Sequence, residues 1–118
     1  MRVLLDHNLP HKLRTELSTL SQHEIVTASY MGWRNLKNGD LLRVAEESGF
    51  EIFVTGDQTL VCEQNLGGRR LTVLVLSANN WPIIKGYLRD ILTAIDSANP
   101  GSFQTVNCGM FSRKNSSE

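Results

Sequence analysis

Short runs of apolar and β-branched residues recur along this chain, separated by stretches whose apolar positions are three or four residues apart. The runs at residues 3–5, 24–28, 51–55 and 71–76 predict four strands. Two of them, residues 3–5 and 71–76, are almost unbroken in apolar character, as in strands buried on both faces of a parallel sheet. A fifth run, residues 103–106, predicts a strand at the edge of the sheet.

The stretches between these runs predict three helices. The first begins near Pro10, and the second opens at Asp40 and ends at Gly49, where glycine readily takes the left-handed conformation of a C-terminal cap. The third is a long helix with Asn80 as its N-cap residue. Residues 58–70 have weak periodicity and are expected to form a loop or a short helix. The positions expected to face the core are Leu13, Leu17 and Leu20 in the first helix, Leu41, Leu42, Val44 and Ala45 in the second, and Ile84, Tyr87, Leu88, Ile91 and Ile95 in the third.

Alternating strands and helices indicate parallel strand pairing, because a right-handed crossover through a helix joins each strand to the next. Helices then cover both faces of the sheet. The sequence therefore predicts an α/β fold, a three-layer α/β/α sandwich with a central, mainly parallel sheet of four to five strands. We expect one domain over residues 1–106 and a polar, serine-rich tail over residues 107–118.

The overall charge is balanced, with 12 Lys and Arg against 12 Asp and Glu, so any nucleic-acid binding has to come from a local patch. No apolar stretch is long enough to cross a bilayer, and the run at residues 3–5 meets Asp6 at once, unlike a signal peptide. Cys62 and Cys108 form no CxxC pair and are expected to be reduced thiols. These features predict a cytoplasmic protein without membrane contact.

Three aspartates stand where a predicted strand gives way to a turn or a helix start: Asp6, Asp40 and Asp57. The carboxyl ends of parallel strands meet at one edge of a sheet, where ligands bind, so we expect these acids to converge there. Carboxylates that lie close together repel one another unless a cation neutralises them. Oxygen ligands favour Mg²⁺ or Mn²⁺, and such ions accept phosphate oxygens and activate water. The pattern therefore favours hydrolysis of phosphodiester bonds.

Taken one at a time, the acids have a simpler interpretation. Asp6 and Asp57 fit strand-end turns, and Asp40 fits the first turn of a helix, where the helix dipole favours an acid. Thr55 allows two interpretations as well, because its hydroxyl could orient a carboxylate or a metal-bound water, while a threonine in a strand needs no such role.

Other residues near the acids are candidates for supporting roles. Asn8 suits an N-cap of the first helix or a hydrogen-bond donor into the site, and His7 suits a phosphate contact or an exposed turn position. Arg34 and Lys37 lie in the loop before the second helix and are candidates for contacts to an RNA backbone. Trp33 in the same loop suits either a base-stacking ring or a core residue.

Three segments carry a resemblance to a known family: VLLDHNLP from Val3, LKNGDLLRVAEESGFEIFVTGDQTL from Leu36, and QNLGGRRLTVLVL from Gln64. Over nearly all of its predicted domain the chain resembles the small PIN-like proteins grouped as DUF5615. The resemblance implies a PIN-like α/β fold and a metallonuclease site whose acids fall on Asp6, Asp40 and Asp57. It also implies Mg²⁺ or Mn²⁺ as cofactor, RNA as substrate and an antitoxin protein as partner, because PIN nucleases are often the toxin half of a bacterial toxin and antitoxin pair. A homodimer is left open.

The chain departs from the PIN pattern at two positions. Similar proteins usually carry an acid after the first aspartate, where this chain has His7. A full PIN site has a fourth acid, whereas Ser77 and Asn79 follow the fourth strand here. Two hypotheses follow: a metal-dependent endoribonuclease, and a catalytically weak or inactive module that binds a protein or a nucleic acid at the same edge. A phosphoryl-transfer receiver domain is a more distant alternative, since no lysine stands in the turn after the fourth strand.

Overall fold

The computed structural model describes residues 1–57 and 70–108. The segment expected to be a loop or a short helix lies outside these ranges apart from Arg70, and so does the predicted tail from residue 109 onward. The chain remains packed past the domain boundary expected at residue 106, because Cys108 is buried and its N–H donates to Ser77 Oγ at 2.7 Å. Burial raises the pKa of the Cys108 thiol, and hydrogen bonds with Ser77 and Ala78 oppose part of that increase.

All the strands of the described ranges belong to one parallel sheet. They are β1 (Arg2–Leu5), β2 (Glu24–Thr27), β3 (Ile52–Thr55), β4 (Thr72–Leu76) and β5 (Phe103–Val106). Their order across the sheet is β2-β1-β3-β4-β5, with every neighbouring pair parallel. The predicted α/β fold is therefore confirmed, including the fifth strand at an edge.

Helices cover both faces of this sheet. They are α1 (His11–Leu20), α2 (Asn38–Glu47), α3 (Trp81–Ile84) and α4 (Leu88–Asp96), with a 3₁₀ turn, Lys85–Tyr87, between the last two. The buried side chains of α1, α3 and α4 join one hydrophobic cluster, and those of α2 join another. This is the three-layer arrangement that right-handed crossovers on either side of β1 produce.

Alternate residues of each strand enter the two separate cores. Val3 and Leu5 pack in the cluster that contains Leu13 of α1, whereas Leu4 packs in the opposite cluster with Leu41 of α2. All five side chains are at most 1% exposed. Full burial of such a side chain contributes about 1.5–3 kcal/mol, so a polar residue on either face would be costly. This double coverage explains why the strand runs in the sequence are apolar without alternation.

The long third helix that the sequence predicts is broken in the structure. After the 3₁₀ turn, α4 begins beyond Tyr87, whose φ of −125° and ψ of 20° are not helical. Gly86 stands at the centre of the break, where its backbone entropy disfavours a continuous helix. Asn80 is the N-cap residue, as predicted, but its side chain makes no cap hydrogen bond. Its carbonyl instead accepts from the Ile84 N–H at 3.1 Å.

Two smaller expectations are wrong. Leu20 is 54% exposed, because it is the last residue of α1, where the chain turns away toward β2. The second helix begins at Asn38 rather than at Asp40, so Asp40 lies inside its first turn.

Candidate functional site

The strand order reverses between β1 and β3, and the region beyond the carboxyl ends of these two strands is here named the crevice. From β1 the chain proceeds to β2 on one side, while β3 lies on the other side, so the connections diverge at this point. Leu5 is in register with Val54, and the Asp6 N–H donates to the Val54 carbonyl at 2.9 Å. In open α/β sheets, ligands bind at the carboxyl ends of the strands where the order reverses. Asp6 and Asp57 follow the two strands that border this crevice.

Asp6 is a buried carboxylate, only 4% exposed, with hydrogen bonds to both of its oxygens. Oδ1 accepts from the backbone N–H of His7 at 2.8 Å and lies 3.0 Å from His7 Nδ1. Oδ2 accepts from the Thr55 hydroxyl at 2.7 Å. An ionised carboxylate offers about four acceptor positions, so among the described residues Oδ2 has one position left for a further ligand. The side chain is fixed by neighbours without being saturated.

Thr55 connects the two acids of the crevice. It is the last residue of β3 and fully buried, and its Oγ1 donates to Asp6 while it accepts from the Asp57 N–H at 3.0 Å. The hydroxyl therefore uses its proton on one acid and a lone pair on the backbone of the other. Of the two interpretations left by the sequence, the structure has the one in which Thr55 orients a carboxylate.

Gly56 permits the close packing of the turn between Thr55 and Asp57. A Cβ at this position would lie 2.8 Å from Asn79 Cβ and 3.5 Å from a methyl carbon of Leu9. The turns after β1, β3 and β4 thus meet at this point. Sequence reasoning missed this residue, although a glycine between a strand-end threonine and a candidate site acid is a visible signal for close backbone approach.

Asp40 does not join this network. Its side chain is 62% exposed in the first turn of α2, and its Oδ1 lies 3.5 Å from Arg43 Nη2. Among residues 1–57 and 70–108, no three His, Cys, Asp or Glu side chains form a group that could hold a metal ion. The structure thus brings together the surroundings of Asp6 and Asp57, and Asp40 lies apart from them.

The two residues after Asp6 differ in their relation to the site. His7 is half exposed, with its ring held against the carboxylate of Asp6 through Nδ1. Asn8 is exposed and does not cap α1, since Pro10 is the N-cap residue and no side-chain cap bond is present there. The capping role expected for Asn8 is therefore wrong.

In the loop before α2, the cations are exposed and Trp33 is packed inward. Arg34 and Lys37 are exposed, as RNA contacts require. Trp33 is partly buried against the core cluster of α2, and its ring meets the Phe50 ring edge-on at a centroid distance of 6.0 Å. Of the two roles considered for Trp33, packing is the one present in the structure.

Ser77 and Asn79, the two polar residues considered after β4, have different surroundings. Ser77 is buried, and its Oγ accepts the Cys108 N–H, which holds the segment after β5 against the end of β4. Asn79 is exposed beside Gly56. Neither residue supplies a carboxylate.

The donor chemistry of the crevice suits a hard cation. Asp6, Asp57 and Thr55 offer only oxygen atoms, which Mg²⁺ and Mn²⁺ prefer. Mg²⁺ sites commonly use one or two carboxylates, with water and substrate phosphates completing the shell. Two aspartates with one open position on Asp6 Oδ2 therefore fit such an ion in donor type.

A second concavity lies away from these residues. It has a volume of about 290 Å³ and is lined by Phe50, Glu51, Arg70 and Pro100 among others. These residues border the amino ends of the strands, the edge opposite to Asp6. This cavity is therefore separate from the candidate site.

None of the described helices is long and apolar enough to cross a membrane. No protein-family model, curated protein or solved structure matches this chain. The likeness to PIN-like proteins therefore rests on the three sequence segments quoted above.

Proposed function

We propose that this chain is a metal-dependent ribonuclease of PIN type that hydrolyses RNA phosphodiester bonds. The observation that carries the proposal is the bonded network of Asp6, Thr55 and Asp57 at the reversal of strand order. Burying a carboxylate costs free energy unless hydrogen bonds or a cation compensate its charge. A carboxylate buried at the edge where ligands bind is therefore a candidate for a functional group. Asp6 has both donors to hold it and one open acceptor position.

In this proposal, Asp6 and Asp57 hold Mg²⁺ or Mn²⁺. The chemistry that such an ion would supply there is polarisation of a phosphate and activation of water. The chain itself supplies the orientation: Thr55 and the His7 N–H hold the carboxylate of Asp6 in one rotamer, so little freedom is lost when a ligand binds. His7, whose Nδ1 lies 3.0 Å from Asp6 Oδ1, is half exposed and is suited to a phosphate contact.

The test compares cleavage of a fluorogenic RNA in Mn²⁺ or Mg²⁺ by Asp6→Asn, Asp57→Asn and the parent protein. Both variants should lose more than about a hundredfold in rate, since even outer partners of metal ligands cost about 10–100-fold. Asp90→Asn is the matched control, because Asp90 is an exposed acid on α4. If folded Asp57→Asn cleaves as fast as the parent, the catalytic assignment is wrong.

Asp40→Asn separates two versions of the site. A loss as large as that of Asp6→Asn would place Asp40 among the metal ligands, as the resemblance implies. A rate within about twofold of the parent would leave Asp40 as the exposed partner of Arg43, where an ion pair is worth about 0–1 kcal/mol.

The second candidate function is a binding module with little or no catalysis. The exposed position of Asp40 and the imidazole of His7 beside Asp6 favour it, because fewer carboxylates hold a divalent ion more weakly. Calorimetric titration with Mn²⁺ decides between the two functions. Tight binding that disappears in Asp6→Asn supports the nuclease, whereas heats equal to the dilution control support the binding module.

A further inference from the structure

The loop between β2 and α2, residues 28–37, presents an unusual exposed ring. Tyr30 is 82% exposed, the largest value among the exposed large hydrophobic residues of the described chain. The other apolar side chains of this loop are turned inward, since Met31, Trp33 and Leu36 pack against the core cluster of α2. The exposure of Tyr30 therefore does not reflect a loop that stands away from the protein.

Hydrogen bonds from backbone N–H groups hold this loop in one shape. The Tyr30 N–H donates to Thr27 Oγ1 at 3.0 Å, and the Trp33 N–H donates to the Ala28 carbonyl at 2.9 Å. Gly32 supplies the left-handed turn between them, with φ of 79°. A ring presented by such a loop loses little conformational entropy when it meets a ligand.

The same loop carries charge of one sign. Residues 28–37 include Arg34 and Lys37 but no Asp or Glu. Both cationic side chains are exposed. In a chain with formal net charge of zero, this is a local surface suited to an anionic partner.

The loop also adjoins the candidate site. The Ala28 N–H donates at 2.8 Å to the carbonyl of Leu5, the residue that precedes Asp6. The first residue of the loop is therefore bonded to the end of β1, next to Asp6.

We propose that residues 28–37 bind single-stranded RNA, with one base stacked on Tyr30 and backbone phosphates on Arg34 and Lys37. The inference rests on the proposed function for the choice of RNA. Single strands are favoured over duplexes because a base has to leave its own stack to lie on a protein ring. An exposed aromatic ring with neighbouring cations is the combination by which proteins hold single strands without reading sequence.

The test measures binding of a fluorescein-labelled single-stranded RNA by anisotropy, in EDTA and in the Asp6→Asn background, so that cleavage and metal binding do not enter. Tyr30→Ala should weaken binding about tenfold to a hundredfold, whereas Tyr30→Phe, which keeps the ring, should stay within about twofold of the parent. The double variant Arg34→Ala, Lys37→Ala should reduce the slope of log affinity against log salt by about 1.4, or about 0.7 for each phosphate contact to a single strand. The matched control is Lys85→Ala, Arg89→Ala, which removes two exposed cations from another surface.

Failure of this inference differs from failure of the nuclease proposal. RNA binding that depends on Tyr30, without metal-dependent cleavage by the parent, would retain the binding surface and reject the nuclease. Cleavage and RNA affinity that are unchanged in Tyr30→Ala would retain the nuclease and reject the surface. Absence of RNA binding by the parent would also overturn the inference and would point to a protein partner. Equal losses of affinity in Tyr30→Phe and Tyr30→Ala would overturn it as well, because the hydroxyl and not the ring would then be the contact.

Discussion

Replacing Thr55 by Val removes one hydroxyl from the candidate site and keeps the shape of the side chain. That hydroxyl donates to Asp6 Oδ2 at 2.7 Å and accepts from the Asp57 N–H at 3.0 Å. Thr55 is fully buried, so no water can simply take its place without a rearrangement of the turn. The substitution therefore tests the network that carries the proposed function.

The expected loss of stability follows from these two bonds. A hydrogen bond to a charged group contributes about 1.5–3 kcal/mol, and the bond from Asp57 adds less because that residue is partly exposed to water. We expect the free energy of unfolding to fall by about 2–3 kcal/mol. With a urea m-value of about 1–3 kcal/mol per molar, the unfolding midpoint should fall by about 0.7–3 M.

Thr72→Val is the matched control. Thr72 is a buried strand threonine whose hydroxyl donates to the Asn99 carbonyl at 2.7 Å, which is a neutral acceptor. Its loss should cost about 1 kcal/mol. If Thr55 orients a metal ligand, Thr55→Val should also weaken Mn²⁺ binding about 10–100-fold, while Thr72→Val leaves it unchanged.

Urea denaturation of the parent, Asp6→Asn, Thr55→Val and the double variant forms a double-mutant cycle, which gives the interaction energy between the two side chains. Residues in one hydrogen-bond network have interaction energies of about 0.5–3 kcal/mol. An interaction energy near zero, together with parental Mn²⁺ affinity in Thr55→Val, would refute the claim that this hydroxyl holds Asp6 in place.

Three further predictions concern packing and the buried thiol. Gly56→Ala should destabilise the protein by about 1–3 kcal/mol in thermal unfolding, because the new Cβ would lie 2.8 Å from Asn79 Cβ. Gly86→Ala is the control, because a Cβ there meets no atom within 4 Å, and it should be neutral or stabilise the protein by up to about 1 kcal/mol. Equal effects of the two substitutions would contradict this packing. The reactivity of Cys108 is measured in a Cys62→Ser background, so that it is the one thiol. Cys108 should react with a thiol reagent at least about a hundredfold more slowly in the folded protein than in urea. The reason is that the thiolate is the reactive form, and burial raises the pKa of Cys108. The raised pKa also means that the free energy of unfolding should decrease as pH rises above about 8.5, the ordinary pKa of a thiol, and a Cys108→Ala variant should lose this component.

The architecture could be predicted from the sequence because two-sided burial leaves a direct trace. Leu4 and Leu5 enter opposite cores, so the run that contains them is apolar throughout. The break before α4 was less accessible, since the apolar spacing continues across it and only Gly86 marks the position. Local propensity decided the outcome there, against a pattern that fits one continuous helix.

The site was predictable only in part, for a reason of geometry. Residues that directly follow strands, such as Asp6, have positions that strand pairing determines. Asp40 belongs to a helix that begins at Asn38, and the direction of its side chain depends on that starting residue, which spacing does not determine. The roles of Trp33 and Tyr30 depend on which ring the loop turns inward, and the spacing of the two residues does not determine this.

The central position of β1 has a consequence for how the protein assembles. β1 can pair with β2 as soon as a short crossover has formed, but its other neighbour, β3, arrives about fifty residues later, as the contact between Leu5 and Val54 requires. The bond from Thr55 to Asp6 closes the same long loop. A nascent chain therefore has no partial version of this hydrogen-bond network, which forms only when the sheet is joined across its middle.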